Sequence, residues 1–523
     1  MRIEYSADSG WMQGYFGHNS VHLRGTPEDC RDVWGNCYLC TMLSKIQKGE
    51  SLSLKERLRL VFTLAWPSIM AQLSTIAMQY IDAAMVGRLG ADPSASVGLM
   101  ATSLWMFWGV CSAATVGFAV LVAHRIGAGD EDGARDVFRK AIPAAFAVGA
   151  IMAAIGNLIA GPLPRWLGGG DEICGDASAY FRIFTSALPL LSLNYLGCGV
   201  LRCVGNMKVP AGVGVMMCAL DVAFNFMLIF PSSSYHIFGA EISFPGAAMG
   251  VEGAALGTVA AETVAAAAVM YWAVRREPAI ALAGPLRRPA PPRRQRKGID
   301  WKLLRSAFRL SLPMMVEHVA LTGAQIVTTI IVAPLGTMAI AANAFAVTAE
   351  ALCYMPGYGM ADAATTLTGQ SHGAGRLRLA RSFGMLTVGA GMVMMTATGI
   401  LLWLFAPEVM ALFTPVEEIR LAGTACLRIE AWAEPMFAAS IVAYGAMVGA
   451  GDTLVPACMN FGCIWLVRIP LAYFLARAYG LEGVWTGMCV ELSLRGLLFL
   501  LRLRSRRWLK PTETRSALFD ARQ

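Results

Sequence analysis

The sequence predicts an all-α polytopic membrane protein, with twelve transmembrane helices in two six-helix pseudo-symmetric lobes around a central cleft. Three observations carry that expectation. First, the 523 residues are 56% hydrophobic and only 15% charged, where a soluble protein shows about 25% charged residues. Second, apolar runs recur along most of the chain. The run 61–87 holds a lone charge, Asp82, and reaches about 40 Å as a helix, enough to cross a hydrocarbon layer of about 30 Å. Third, residues 67–210 recur 246 positions later without a gap. Pro67 falls on Pro313, Gly90 on Gly336, Gly127 on Gly373 and Gly129 on Gly375. Pro189 falls on Pro435, Gly199 on Gly445, Gly205 on Gly451 and Pro210 on Pro456. Apolar matches would mean little in so hydrophobic a chain, but glycine and proline constrain the backbone, so their agreement argues for two copies of one architecture.

Along the chain, 1–50 reads as an N-terminal extension. It lacks an apolar core of signal-peptide length. Met42 stands just before the lead into the first span, and 1–41 are expected to be dispensable. Cys30, Cys37 and Cys40, with His18 and His22 upstream, lack the tight second pair that a zinc site needs. The other cysteines lie in or beside apolar runs, where Cys acts as a small hydrophobe. A first lobe follows at 51–274, with spans at 59–87, 96–123, 141–163, 178–200, 208–230 and 247–274. A linker at 275–300, rich in Pro and Arg, leads to a second lobe at 301–503. Its spans are expected at 303–333, 339–369, 382–406, 420–448, 454–477 and 482–503, and 504–523 form a tail.

The net charge of +8 is concentrated in alternate loops. Arg125, Arg135, Arg139 and Lys140 lie between spans two and three, and Arg376, Arg378 and Arg381 between eight and nine. Arg275, Arg276, Arg287, Arg288, Arg293, Arg294, Arg296 and Lys297 fill the linker. Loops 231–246 and 334–338 on the other side carry no basic residue. The positive-inside rule then puts both termini in the cytoplasm. The expected setting is the plasma (cytoplasmic) membrane, with the lipid bilayer as partner and no nucleic acid. A monomer is expected. Two readings of the linker stay open, a topology determinant with a tether, or a contact with anionic lipid.

The first span carries the chief chemical signal. Ser68, Gln72, Thr75, Gln79 and Asp82 follow one another at intervals of three and four, which places them on one helix stripe. A polar stripe ending in a carboxylate faces a packed interior or a wet cavity, because lipid cannot satisfy it. Pro67, inside this span, removes a backbone hydrogen bond, and its recurrence as Pro313 marks both as candidate hinges. In the fifth span Asp221 and Asn225 share a face. They either bind a proton or a small cation together with Asp82, or simply pin helices together. In the seventh span Glu317 is a candidate acid or a dipole-stabilised helix-start residue; the copy of Asp82 there is Thr328. The second half adds Glu350, Asp362, Glu430, Glu434, Arg468 and Glu491, with Arg468 expected to pair with one of the acids. No GxxxxGK[ST] or HExxH is present, so the expectation is a non-enzymatic protein without cofactor, driven by an ion gradient.

Several segments together, in order and duplicated, resemble the multidrug and toxin extrusion (MATE) family over about 55–500. They are DAAMVGRLG (82–90), IGAGDEDGAR (126–135), GVLRCVGNMKVP (199–210) with GAMVGAGDTLVP (445–456), GVEGAALGT (250–258) and TLTGQSHGAGR (366–376). The resemblance implies rocker-type antiport of small-molecule organic cations against protons or sodium. It matches Asp82 to the family's first-span acid and Glu317 to a seventh-span glutamate of one branch. The order of Asp221 and Asn225 is reversed relative to related branches, which puts a sodium site at Asp82, Asp221 and Asn225 in question. The tenth-span acid of some members falls near Phe437, with Glu434 one turn away. His124 replaces the Gln found at Gln370 in the second copy.

The function expected is therefore secondary active antiport, exporting cationic amphiphilic drugs or toxins by alternating access. Gln72, Gln79, Asp82, Asp221, Asn225, Glu317, Glu350 and Glu434 are its candidate ion or substrate ligands. The alternative is a flippase or exporter of a lipid-linked sugar or metabolite, which a large basic cavity would favour. A channel suits a duplicated body with asymmetric acids less well than alternating access does.

Overall fold

The computed structural model describes residues 12–16, 19–23, 37–237, 240–283 and 300–509. Linker residues 284–299, the tail from 510, and the side chains of His18, His22, Cys30, Cys37 and Cys40 lie outside them.

Six spans form the first lobe: Leu54–Gly87, Ala91–Gly127, Glu131–Ile159, Asp171–Val204, Lys208–Ile229 and Gly250–Arg275. The helices start earlier than the apolar runs because capping residues begin them. Ser53 and Glu56 make a reciprocal capping box before the first span, and the Asp130 carboxylate accepts from Gly133 N at 2.9 Å before the third. At the start of the seventh span Asp300 does the same for Leu303 N. This bond, helped by Lys140, holds the Asp300 carboxyl below the usual carboxylate range.

The second lobe runs through Trp301–Val332, Thr337–Gly373 and Leu377–Phe413. Its tenth span is not the single helix expected at 420–448. It breaks into Glu417–Glu430 and Glu434–Gly449, bent by 60°. Among the described residues ten helices are long and apolar enough to span, and the bent pair makes an eleventh if it is one span. The last of the ten, Leu454–Arg504, has 51 residues, about 77 Å if straight, too long for one crossing. Gly480 reverses it with φ 59° and ψ −136°. A Cβ on Gly483 would lie 2.2 Å from Leu475 O, and one on Gly487 would lie 3.0 Å from Ala472 N. The two arms are therefore packed back on each other, as spans eleven and twelve. A π turn, Ile464–Arg468, interrupts the first arm.

Two hairpins depart from the expected loops. Met12–Phe16 (β1) pairs antiparallel with Asn19–Leu23 (β2) in the extension, and Pro231–Ile237 (β3) with Ala240–Ala247 (β4) in the loop after the fifth span. In β4 the sequence does alternate, with Ala240, Ile242 and Phe244 separated by Glu241 and Ser243, a period-two signal that the loop reading passed over. An N-terminal helix, Cys37–Lys48, starts inside the stretch read as dispensable and buries Leu39.

The duplication is visible in the backbone. Gly90 and Gly336 both turn at positive φ (122° and 100°), as do Gly129 and Gly375 (74° and 71°) and Gly205 and Gly451 (106° and 86°). Between lobes, the first span packs on the eighth and the second on the seventh, and the repeat maps each pair onto the other.

The lobes meet most closely at the end bearing the Arg-rich loops, here the basic end. Cβ atoms on Gly127 and Gly373 would lie 2.0 Å from Gln370 O and 2.1 Å from His124 O. His124 Nε2 donates to Gly449 O at 2.8 Å, and Gln370 Nε2 donates to Cys203 O at 2.8 Å. The repeat offset maps His124 onto Gln370 and Cys203 onto Gly449, so each lobe makes the same contact to the other. Ser311 Oγ adds a bond to Ala114 O at 2.9 Å.

Because only glycine fits here, Gly373→Ala should cost about 1–3 kcal/mol through overpacking and lower the thermal midpoint in detergent by several degrees. Gly389→Ala, which has nothing within 4 Å of its added carbon, is the control and should melt no lower than wild type. Equal midpoints for both variants would contradict the close-packing account.

Candidate functional site

A cavity of ≈ 1130 Å³ lies between the lobes. The second span lines it from Ser94 to Val120, so it runs from near that span's far end towards the closed basic end. Its floor is an ion pair between the lobes. Arg202 Nη1 lies 3.2 Å from Asp362 Oδ2, which also accepts from Ser68 Oγ at 2.6 Å. Four of the five first-span stripe residues, Gln72, Thr75, Gln79 and Asp82, line the wall. Ser68, the fifth, is taken by Asp362. Pro67 and Pro313 sit inside helices that continue through them.

In the first lobe the predicted acids come together. Asn225 Nδ2 donates to Asp82 Oδ1 at 2.9 Å and to Asp221 Oδ2 at 3.1 Å. One amide thus bridges carboxylates from two helices, with Thr258 Oγ1 3.5 Å away. Asp221 and Asn225 are fully buried, and Asp221 Oδ1 has no hydrogen-bond partner. The sixth span presses on the amide, since a Cβ on Gly257 would lie 2.1 Å from Asn225 Oδ1. Asp221 and Asn225, four apart, share one helix face, and in this order it is the amide of Asn225 that reaches Asp82.

Two adjacent carboxylates in a low-dielectric wall repel unless a proton or cation lies between them. Carboxylate, amide and hydroxyl oxygens are hard donors and suit an alkali cation better than a transition metal. No group of three or more His, Cys, Asp or Glu side chains able to hold a metal occurs among the described residues.

The second lobe is built differently. Thr328, the copy of Asp82, donates to Ala324 O within its own helix. Glu317 accepts from Tyr444 Oη and Asn460 Nδ2, both at 2.5 Å. Glu350, Arg468 and Arg495 line the cavity. Glu430 and Glu434 flank the break in the tenth span, behind that wall. They are fully buried, and their carboxylate oxygens have no hydrogen-bond partner. Arg468, expected to pair with one of the acids, makes no ion pair among the described residues but stands near enough to Glu350 to act on its charge, and it is Arg495 that comes within ion-pair distance of an acid of this lobe. Its Nε lies 3.1 Å from Glu491 Oε1, one turn away on the same helix, and its guanidinium lies over Phe437 at 5.5 Å. Arg468 instead reaches Met488 Sδ.

Sequence reasoning missed Glu262, which lines the cavity and accepts from Asn194 Nδ2 at 3.0 Å. Its signal was available, as a carboxylate inside an otherwise apolar span. Arg202 was overlooked because it stands near the end of its span, where a basic residue reads as a loop charge.

The comparisons with known proteins agree with this architecture. The MatE family model matches twice, at 67–227 and 313–474, and the two matches start 246 residues apart, the offset of the internal repeat. A probable multidrug resistance protein NorM of Thermotoga maritima is 25% identical, covering 86% of this chain and 92% of that protein. Another, of Pseudomonas aeruginosa, is 29% identical over 83% of this chain and 87% of that protein. Among solved structures, the outward-facing conformation of a multidrug resistance MATE family transporter of the MOP superfamily superposes with a TM-score of 0.77. It is 20% identical and covers 86% of this chain and 96% of its own. With the family model matched in both lobes and the two-lobed fold shared, the chain belongs to the MatE family of multi-pass membrane transporters.

Proposed function

We propose that the protein is a secondary multidrug antiporter that exports cationic amphiphilic compounds in exchange for protons or sodium. The observation that carries this reading is the amide of Asn225 bridging Asp82 and Asp221 at the cavity wall. A proton or a sodium ion relieves the repulsion of the two carboxylates, and a cationic cargo near Asp82 relieves the same charge. Ion and cargo then compete for one negative site. Such competition couples two fluxes only if the ion binds the two facing states with different affinity. The closed basic end and the cavity extending the other way supply one of those states.

The wall also favours cations as cargo. Asp82, Glu262, Glu317, Glu350 and Asp362 line it against Arg202, Arg468 and Arg495. A lipid pyrophosphate would face a net acidic surface. Orientation follows from the loops, with the basic end and both termini in the cytoplasm of a plasma-membrane protein.

The test is uptake of a fluorescent organic cation into proteoliposomes, with proton and sodium gradients imposed separately. Wild-type protein should accumulate the dye under at least one gradient. Asp82→Asn should lose gradient-driven uptake by a factor of ten or more while expressing and folding normally. Wild-type rates in Asp82→Asn would overturn the assignment. In the same assay Gly257→Val should also lose at least tenfold, because its side chain displaces the bridging amide without removing any acid. Retained coupling in that variant would show that the amide bridge is not required.

A further inference from the structure

The N-terminal helix Cys37–Lys48 lies across the closed end of the lobe interface and touches both lobes. Its buried face is Leu39, Met42, Leu43 and Ile46, at the three- and four-residue spacing of one helix side. Towards the first lobe, Gln47 Nε2 donates to Ile126 O at 2.9 Å, at the end of the second span. Leu43 Cδ1 fills the space beside Gly205, where a Cβ would come within 2.5 Å of it. Lys45 Nζ meets Glu56 Oε1 of the first span at 2.9 Å. Towards the second lobe, Arg376 Nη1 donates to Lys45 O at 3.2 Å and to Ile46 O at 3.5 Å. A guanidinium on the last carbonyls of a helix is favourable both as a cap and against the helix dipole. The helix sits over the reciprocal contacts described above, since the Gly205 that Leu43 covers also neighbours the Gln370 amide.

We propose that Cys37–Lys48 is a strap that holds the basic end shut and must release the second lobe before that end can open. The Arg376 side lets go, because the other side is tied covalently through Gly49–Ser53 and by Lys45–Glu56. While both sides are engaged, the strap weights the population towards the state with the basic end closed. This assignment rests on the alternating-access reading above.

Cys203 is a native reporter of opening. It is buried at the basic end, and Gln370 of the other lobe bonds to its carbonyl. Full-length protein is reconstituted, and a bulky, impermeant maleimide is added only on the side of the Arg-rich loops. Modification is read peptide by peptide, with buried Cys111 as internal reference. Arg376→Ala, and separately Leu43→Asp, should speed Cys203 modification about tenfold, the loss of one charge-assisted contact, with Cys111 unchanged. Deleting 1–48 should do the same; if that variant fails to fold, the two point variants decide. Wild-type rates at Cys203 in both point variants would overturn the strap while leaving alternating access intact. A Cys203 silent in wild type under every gradient and with cargo present would instead overturn alternating access.

Discussion

Backbone-to-backbone approach at one end of the lobe interface is the constraint on which the rest depends. Where Gly127 meets Gln370 O and Gly373 meets His124 O, no side chain fits between the helices. Helices held that tightly at one end can part only towards the other, and this opening is the cavity. The polar stripe of the first span then finds solvent-filled space instead of acyl chains. The ion pair of Arg202 and Asp362 closes the bottom of that space, so any cargo must enter from the far side in this state.

On this symmetric frame the chemistry is asymmetric. The first lobe concentrates two carboxylates and an amide, and Thr258 of the sixth span stands beside them. The second lobe satisfies its cavity acid, Glu317, with a phenol and an amide. It keeps further glutamates behind the wall, at the break of the tenth span. Thr328, where the first lobe has Asp82, is satisfied within its own helix and is free of any demand for a partner in the cavity. A duplicated scaffold thus carries two separate polar sites at different depths.

Much of this was legible in the sequence, for identifiable reasons. Spans were readable because lipid demands long apolar helices, and the repeat because paired glycines at 90/336, 129/375 and 205/451 share backbone angles that few other residues adopt. The meeting of Asp82 with Asp221 and Asn225 was readable because polar groups in spans must face inward. What was missed has physical causes too. The break between Glu430 and Glu434 has Pro435 just after it, in the first turn of the second piece, but its counterpart Pro189 lies inside an unbroken helix, so the proline alone did not mark a break. The reversal at Gly480, by contrast, falls in the gap between the spans expected at 454–477 and 482–503, flanked by Arg477 and Glu482. The helix Cys37–Lys48 is short and amphipathic, so its value lies wholly in tertiary contacts that local pattern does not encode. Arg495, not singled out in the sequence, comes within 3.1 Å of Glu491, while Arg468 acts on Glu350 without a direct ion pair, a difference that packing sets.

The reciprocal bonds His124–Gly449 and Gln370–Cys203 also bear on origin. Contacts in which each partner is the image of the other are those of an isologous seam between identical subunits. Two copies of a six-span ancestor would have closed against each other through this same surface. In such a homodimer a substitution appears on both sides of the axis at once, so histidine could not stand opposite glutamine. In a single polypeptide that restriction is absent, and here one half of the closed end carries an imidazole and one wall carries Asp82, while the seam that joins the halves keeps its two-fold form.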